Sequence, residues 1–213
     1  MNYYNTHTHQ YSARENEVSI VNCKLPESLD EIVIFPPYCS FGIHPWFINN
    51  IEIQLQQLES VLQLPETTAL GEVGLDKLSH TSLDIQKQVF RRQIELSETY
   101  KKPLIIHCVK AWSELLAMKK EINPQMKWIV HGFRGNADLA KQLIQHDIRL
   151  SFGFRFNPKA VLQAWPHFLL AETDDKDIDI QMVYHQLYKS LQLEKEVFML
   201  QLTENNKDIF CFR

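Results

Sequence analysis

No stretch of the chain approaches the ~18 consecutive apolar residues needed to span a bilayer. The opening residues, Met-Asn-Tyr-Tyr-Asn-Thr-His, lack the basic-then-apolar order of a secretory leader. Neither a membrane protein nor a secreted one is expected. Cysteine is scarce and scattered. Cys23, Cys39, Cys108 and Cys211 form no Cys-x-x-Cys pair, so reduced thiols in a cytoplasmic protein are expected rather than a disulfide framework. Only 6 Gly and 9 Pro occur, which excludes collagen-like and linker-rich architectures. Positive charge is not in excess either. With 22 Lys+Arg against 26 Asp+Glu the formal net charge is −4, the wrong sign for a broad basic face gripping nucleic acid. What the chain does have is 213 residues that are 45% hydrophobic and 11% aromatic. That suits one packed domain over 1–213, with no internal repeat.

Strand-like and helix-like segments alternate. Strands are expected over 3–6, 18–23, 38–43, 68–73, 103–108, 127–131, 148–154 and 168–172. The apolar run 32–35, cut off by Pro36-Pro37, is left unassigned. Helices are expected over 51–64, 82–100, 111–120, 136–146, 178–190 and 195–207, with Ser82 and Asn136 as N-caps. In 82–100 the inward stripe of Leu83, Gln86, Val89, Phe90, Gln93, Ile94 and Leu96 has the helical period. Alternation of this kind predicts an α/β fold, a distorted (β/α)8 TIM barrel. Too few residues separate His9 from Ile43 for two full strand–helix units, so the barrel is expected to be shortened by one or two outer helices in the N-terminal third.

Barrels of this class keep reactive groups where strands run out into loops. His7 and His9 follow the first strand one residue apart, on one side of extended backbone. Glu72 closes the fourth strand, His107 the fifth and His131 the sixth, and Asp174 follows the last. Imidazole nitrogens suit transition-metal ions, and carboxylates balance cation charge and bridge paired ions. Such a set is too large for one tetrahedral ion and suits two divalent cations ~3.5–4 Å apart. Any one of these residues alone is as well explained by packing or helix capping. His80, His146, His167 and His185 lack this placement and are expected to be surface or packing residues.

His-Thr-His at 7–9, Phe-Gly-Ile-His-Pro-Trp at 41–46, Gly-Glu-Val-Gly-Leu-Asp at 71–76, Ile-Ile-His at 105–107, His-Gly-Phe at 131–133 and Glu-Thr-Asp at 172–174 come in a recognisable order. The chain resembles the TatD family of metal-dependent hydrolases, of the amidohydrolase superfamily, from residue 5 to about residue 206. The resemblance implies two divalent cations (Zn, Mn or Mg): one on His7, His9 and Asp174, the other on His107 and His131, with Glu72 bridging. It places His44 near the substrate. Asp76 would orient a ligand from behind or cap the following turn. The chain departs from the family pattern at Asn5, where Asp is usual, and at Cys108-Val109-Lys110, where Arg often follows the histidine. It departs again at Gly132 and Arg134 and at Asp175-Lys176-Asp177.

The implied activity is that of a deoxyribonuclease. Water activated by the cations attacks a phosphodiester, as at DNA 3′ ends, and Asp174 accepts its proton beside the bridging Glu72. Arg134, Arg155 and Lys110 are candidates to hold an anionic substrate, and Trp46, Phe133 and Phe152 to stack bases. Two other readings stand beside this one: hydrolysis of a small ester, amide, lactone or phosphoester, and a non-catalytic metal-dependent binding protein. Expected partners are therefore DNA ends or a small anionic substrate, with no membrane, and a monomer is compatible with the sequence.

Overall fold

The computed structural model describes residues 1–26 and 34–212. In chain order the elements are β1 (Tyr3–Thr8), β2 (Glu17–Asn22), β3 (Cys39–Phe41), α1 (Ile51–Leu62), β4 (Thr67–Asp76), α2 (Leu83–Tyr100), β5 (Leu104–Val109) and α3 (Trp112–Ile122). There follow β6 (Trp128–Val130), α4 (Ala137–Gln145), β7 (Ile148–Phe152), α5 (Pro158–Ala164), β8 (Leu169–Ala171), α6 (Ile180–Ser190) and α7 (Lys195–Ile209). The strands run in sheet order β1 to β8, the order of a (β/α)8 barrel. Residues 9–16 hold no helix, as the short N-terminal third required. Of the apolar run 32–35, residues 32–33 lie outside the described residues.

The chain divides into two compact units, Met1–Val21 with Ile129–Arg213, and Asn22–Trp128. In the first, β1 pairs with β2 and β7 with β8, all parallel. A parallel bridge joins Thr8 to Asp174. That bridge explains why β1 runs on to Thr8 and contains His7. His9 N donates to Asp174 O at 3.0 Å, and Asp174 N donates to His7 O at 3.1 Å. These partners lie at opposite ends of the sequence, so a local reading ends the strand early. α5 was not foreseen. It is only 7 residues long, too short to show a period, although Asn157 caps it and Pro158 opens it.

In the second unit β3, β4 and β5 pair in parallel. β4 does not close at Glu72 but continues to Asp76, because β5 stays alongside it: Gly74 is paired with His107, and Asp76 with Val109. Gly74 therefore serves a close approach inside the strand. Its φ is 132°, and a Cβ there would meet the His107 carbonyl oxygen. Ser82 and Asn136 cap α2 and α4 as expected, their side chains accepting from Ile85 N and Leu139 N. Among the described residues no helix is long and apolar enough to cross a membrane.

Candidate metal centre

In the first unit, Asp174 stands in the left-handed backbone region, with φ at 56°. Its backbone bonds to β1 pin it, and its Oδ1 lies 3.6 Å from both His7 Nε2 and His9 Nε2. The His7 and His131 rings are 4.4 Å apart. His7, His131 and Asp174 each offer a ligand atom, and these atoms all lie within 4.8 Å of one another. His7 is fully buried, Asp174 is partly open and His9 is exposed. Behind His131 sits Glu172, with no exposed surface. Its Oε1 accepts from Gly132 N at 2.7 Å and lies 3.4 Å from His131 Nδ1. The carboxylate thus selects the tautomer that leaves Nε2 of His131 open to a cation.

Asn5, where the family usually has Asp, is explained by its neighbours. Its Oδ1 accepts from Thr173 N at 3.0 Å, while its Nδ2 donates to Thr173 Oγ1 at 2.9 Å and to Glu17 Oε1 at 3.3 Å. An aspartate could not donate, and would set a second buried carboxylate against Glu17. Asn5→Asp is therefore expected to destabilise the chain by about 1–3 kcal/mol, read as a lower urea midpoint. An unchanged midpoint would contradict this account of the position.

The second unit holds a parallel arrangement. His107 Nδ1 lies 3.4 Å from Glu72 Oε1, and His44 Nε2 lies 3.6 Å from the same oxygen. On its far side His107 Nε2 is 2.9 Å from Asp76 Oδ2. Asp76 also accepts from Trp46 Nε1 at 2.6 Å and, through Oδ1, from Leu78 N at 2.7 Å. It both orients His107 and caps the turn. Burial pushes the Asp76 carboxyl up, but the bonds from His107, Trp46 and Leu78 outweigh it and hold it below the usual carboxylate range. The ionised carboxylate fixes the proton on Nε2 and leaves Nδ1 facing Glu72.

Glu72 is itself braced. Asn22 Nδ2 donates to Glu72 Oε2 at 3.3 Å, and Asn22 Oδ1 accepts from Glu72 N at 3.1 Å. His44 differs from His107, because its Nδ1 accepts from Trp46 N at 3.1 Å. In neutral His44 the proton therefore sits on Nε2, which makes that atom a donor rather than a metal ligand.

Two buried glutamines on the inward stripe of α2 hold the loops that carry these groups. Gln86 accepts from Asp76 N at 2.7 Å and donates to Asp76 O at 2.9 Å. Gln93 accepts from Ile43 N at 2.7 Å, next to His44. Both had been read only as part of a helical period. Their signal was polarity on an otherwise apolar stripe. Glu172 was also missed, although it stands two residues from Asp174 in Glu-Thr-Asp. Asn22 carried no signal beyond its place at a strand end.

The donor chemistry in each unit fits a divalent cation: imidazole nitrogens freed by a carboxylate behind them, next to an acidic oxygen. Lys110, Arg134 and Arg155 are exposed. His80, His146, His167 and His185 are all exposed, as expected. Phe133 and Phe152 are not available to a substrate, because they are 1% and 0% exposed and pack edge to face. Trp46 and its neighbour Phe47 are open, at 49% and 69%. Cys108, beside His107, is buried, and burial pushes its thiol up to about 12. Iodoacetamide at pH 8 is accordingly expected to label the exposed Cys211 and to spare Cys108 until the chain is unfolded. Mass mapping reads the order, and early labelling of Cys108 would contradict it.

The TatD related DNase family model matches residues 12–210. The chain belongs to the TatD family. The chain is 34% identical over 140 residues to the human 3′-5′ RNA nuclease TATDN2, covering 64% of this chain and 18% of that protein. It is 33% identical over 149 residues to the metal-dependent hydrolase YabD of Bacillus subtilis, covering 64% and 58%. The chain thus spans less than two thirds of the length of these relatives. The crystal structure of the TatD homolog YjjV from Escherichia coli K12 superposes with a TM-score of 0.78 at 20% identity, covering 92% of this chain and 86% of that one. The likeness shows that the TatD chain described here has the same barrel fold.

Proposed function

We propose that the chain hydrolyses phosphodiester bonds at the 3′ ends of nucleic acid, using two divalent cations. One would be held by His7, His9, His131 and Asp174, the other by Glu72 and His107. The sequence alone puts His131 with His107 and makes Glu72 a bridge; His131 is moved because its ligand atom lies within 4.8 Å of those of His7 and Asp174. The observation that carries this reading is a repeated one: His107 and His131 each set one ring nitrogen against a buried carboxylate, Asp76 or Glu172. Histidines backed in this way are a mark of metal ligands. A divalent cation at such a site would supply positive charge that polarises a phosphoryl oxygen and makes water a stronger nucleophile near neutral pH.

The chain's own residues supply the rest. Asp174 is fixed by its backbone bonds to β1 and partly open, and it accepts the proton of the attacking water. Glu72, braced by Asn22, contributes negative charge that balances the cations. His44 donates from Nε2 to a phosphate oxygen. Lys110, Arg134 and Arg155 attract and orient the anionic backbone. The name of the human relative, an RNA nuclease, supports a nucleic-acid substrate.

The exposed rings of Trp46 and Phe47 supply π-faces for terminal bases. Trp46 is held by its bond to Asp76, whereas the Phe47 ring lies beside that of His44, with centroids 5.4 Å apart. Base–aromatic stacking is worth about 1–3 kcal/mol per base. Phe47→Ala is therefore expected to raise KM for an oligonucleotide ~10-fold, with little change in kcat or in hydrolysis of a chromogenic phosphodiester. An equal loss on both substrates would remove stacking from the account.

The test of the function is direct. Single-stranded DNA and RNA labelled at the 5′ end are incubated with the chain and Mn²⁺. A ladder shortening from the 3′ end, abolished by EDTA, is the expected result. Cleavage of a small phosphodiester or carboxylic ester without any shortening would replace the nuclease reading with the small-substrate one.

A further inference from the structure

Apart from the metal-ligand groups, one pair of reactive side chains in the second unit has no part in the proposed hydrolysis. Cys23 follows β2 and Cys39 opens β3, 16 positions later, and their sulfurs are 3.3 Å apart. The strands beneath are already tied, with Cys23 N donating to Ser40 O at 2.9 Å. Cys39 is fully buried and its Sγ is also 3.3 Å from the Pro36 carbonyl oxygen, while Cys23 is half-buried. The pair lies one residue beyond Asn22 and one before Ser40, whose side chains meet at 3.4 Å next to Glu72.

We propose that Cys23 and Cys39 form a site of reversible oxidation, in which a peroxide converts the two thiols into a disulfide linking β2 to β3. A sulfur–sulfur bond is ~2.05 Å long, so closure asks for a movement of about 1.2 Å shared between two side chains on neighbouring strands. Cys23 is the less buried residue of the pair, and its sulfur attacks the peroxide. The O–O bond breaks, one oxygen leaves as water after taking up a proton, and Cys23 becomes a sulfenic acid. Cys39 then attacks the Cys23 sulfur. Its S–H proton and the sulfenic OH leave as a second water as the S–S bond forms. The two electrons that reduce the peroxide come from the two thiols together. The same roles follow from the acidities: the sulfur–sulfur contact with Cys39 holds the Cys23 thiol below its ordinary value, and the same contact with burial pushes Cys39 up.

The test uses the full chain carrying Cys211→Ser, which removes the exposed thiol and with it any link between chains. After brief treatment with hydrogen peroxide, thiols are counted in denaturant and the intact mass is measured. Loss of two thiols and of two hydrogens, both restored by dithiothreitol, is expected. Trypsin cuts after Arg14, Lys24 and Lys77, so the non-reduced digest should contain peptide 15–24 joined to peptide 25–77. Adding Cys39→Ser should stop the reaction at Cys23, leaving a sulfenic acid that dimedone traps. The proposal is overturned if both thiols survive peroxide, if oxygen is added with no linked peptide, or if the link involves Cys108.

Discussion

Replacing Asp174 with asparagine is expected to lower phosphodiester hydrolysis by 10²- to 10⁴-fold, the usual contribution of a positioned general base. The substitution keeps the side chain's size and leaves the backbone bonds between Asp174 and β1 in place, so the fold should survive. It removes the oxygen charge 3.6 Å from both His7 and His9 and the lone pair that accepts the proton. Because that acceptor acts on the water and not on the bound substrate, kcat should fall while KM changes little. The effect should persist at saturating Mn²⁺. If excess metal restored wild-type kcat, Asp174 would be a ligand only, and another group or bulk water would take the proton.

The second large effect belongs to residues that hold the ligands from behind. Asp76→Asn and Glu172→Gln are each expected to weaken divalent-cation binding by 10- to 100-fold, the scale on which such outer partners act. The two act separately, since Asp76 backs His107 and Glu172 backs His131. Each amide can turn an N–H toward its histidine and favour the tautomer whose lone pair points the wrong way. Asp76→Asn should also loosen the Trp46 indole, which its carboxylate accepts at 2.6 Å. Binding curves from calorimetry, with near-ultraviolet circular dichroism to follow Trp46, separate these consequences. Unchanged Mn²⁺ affinity in both variants would mean that these carboxylates serve packing alone.

The reactive side chains were legible because each stands in a short local pattern. His-Thr-His needs only extended backbone to put two imidazoles on one side, and Glu-Thr-Asp marks its own strand end. The limits of β1 and β4 were not legible, since both are set by partners distant in sequence: Asp174 for β1, and the length of β5 for β4. Asn22 and Glu72 meet across 50 positions, and no local signal connects them. Gln86 and Gln93 were counted correctly on the inward stripe, but their period says nothing of the backbone groups they bind. Phe133 and Phe152 show the opposite failing. Proximity to strand ends suggested a stacking role, yet each occupies a space that the core fills.

The most direct test of the account is the number of divalent cations that each set of donors holds. Titration of the metal-free chain with Mn²⁺, followed by the loss of the free-ion electron paramagnetic resonance signal, gives that number at equilibrium, without washing out weakly held ions. About two cations per wild-type chain are predicted, falling to about one in His131→Ala and to about one in His107→Ala. A wild-type chain that binds one ion or none, or a stoichiometry that neither substitution alters, would contradict the assignment of one cation to each group.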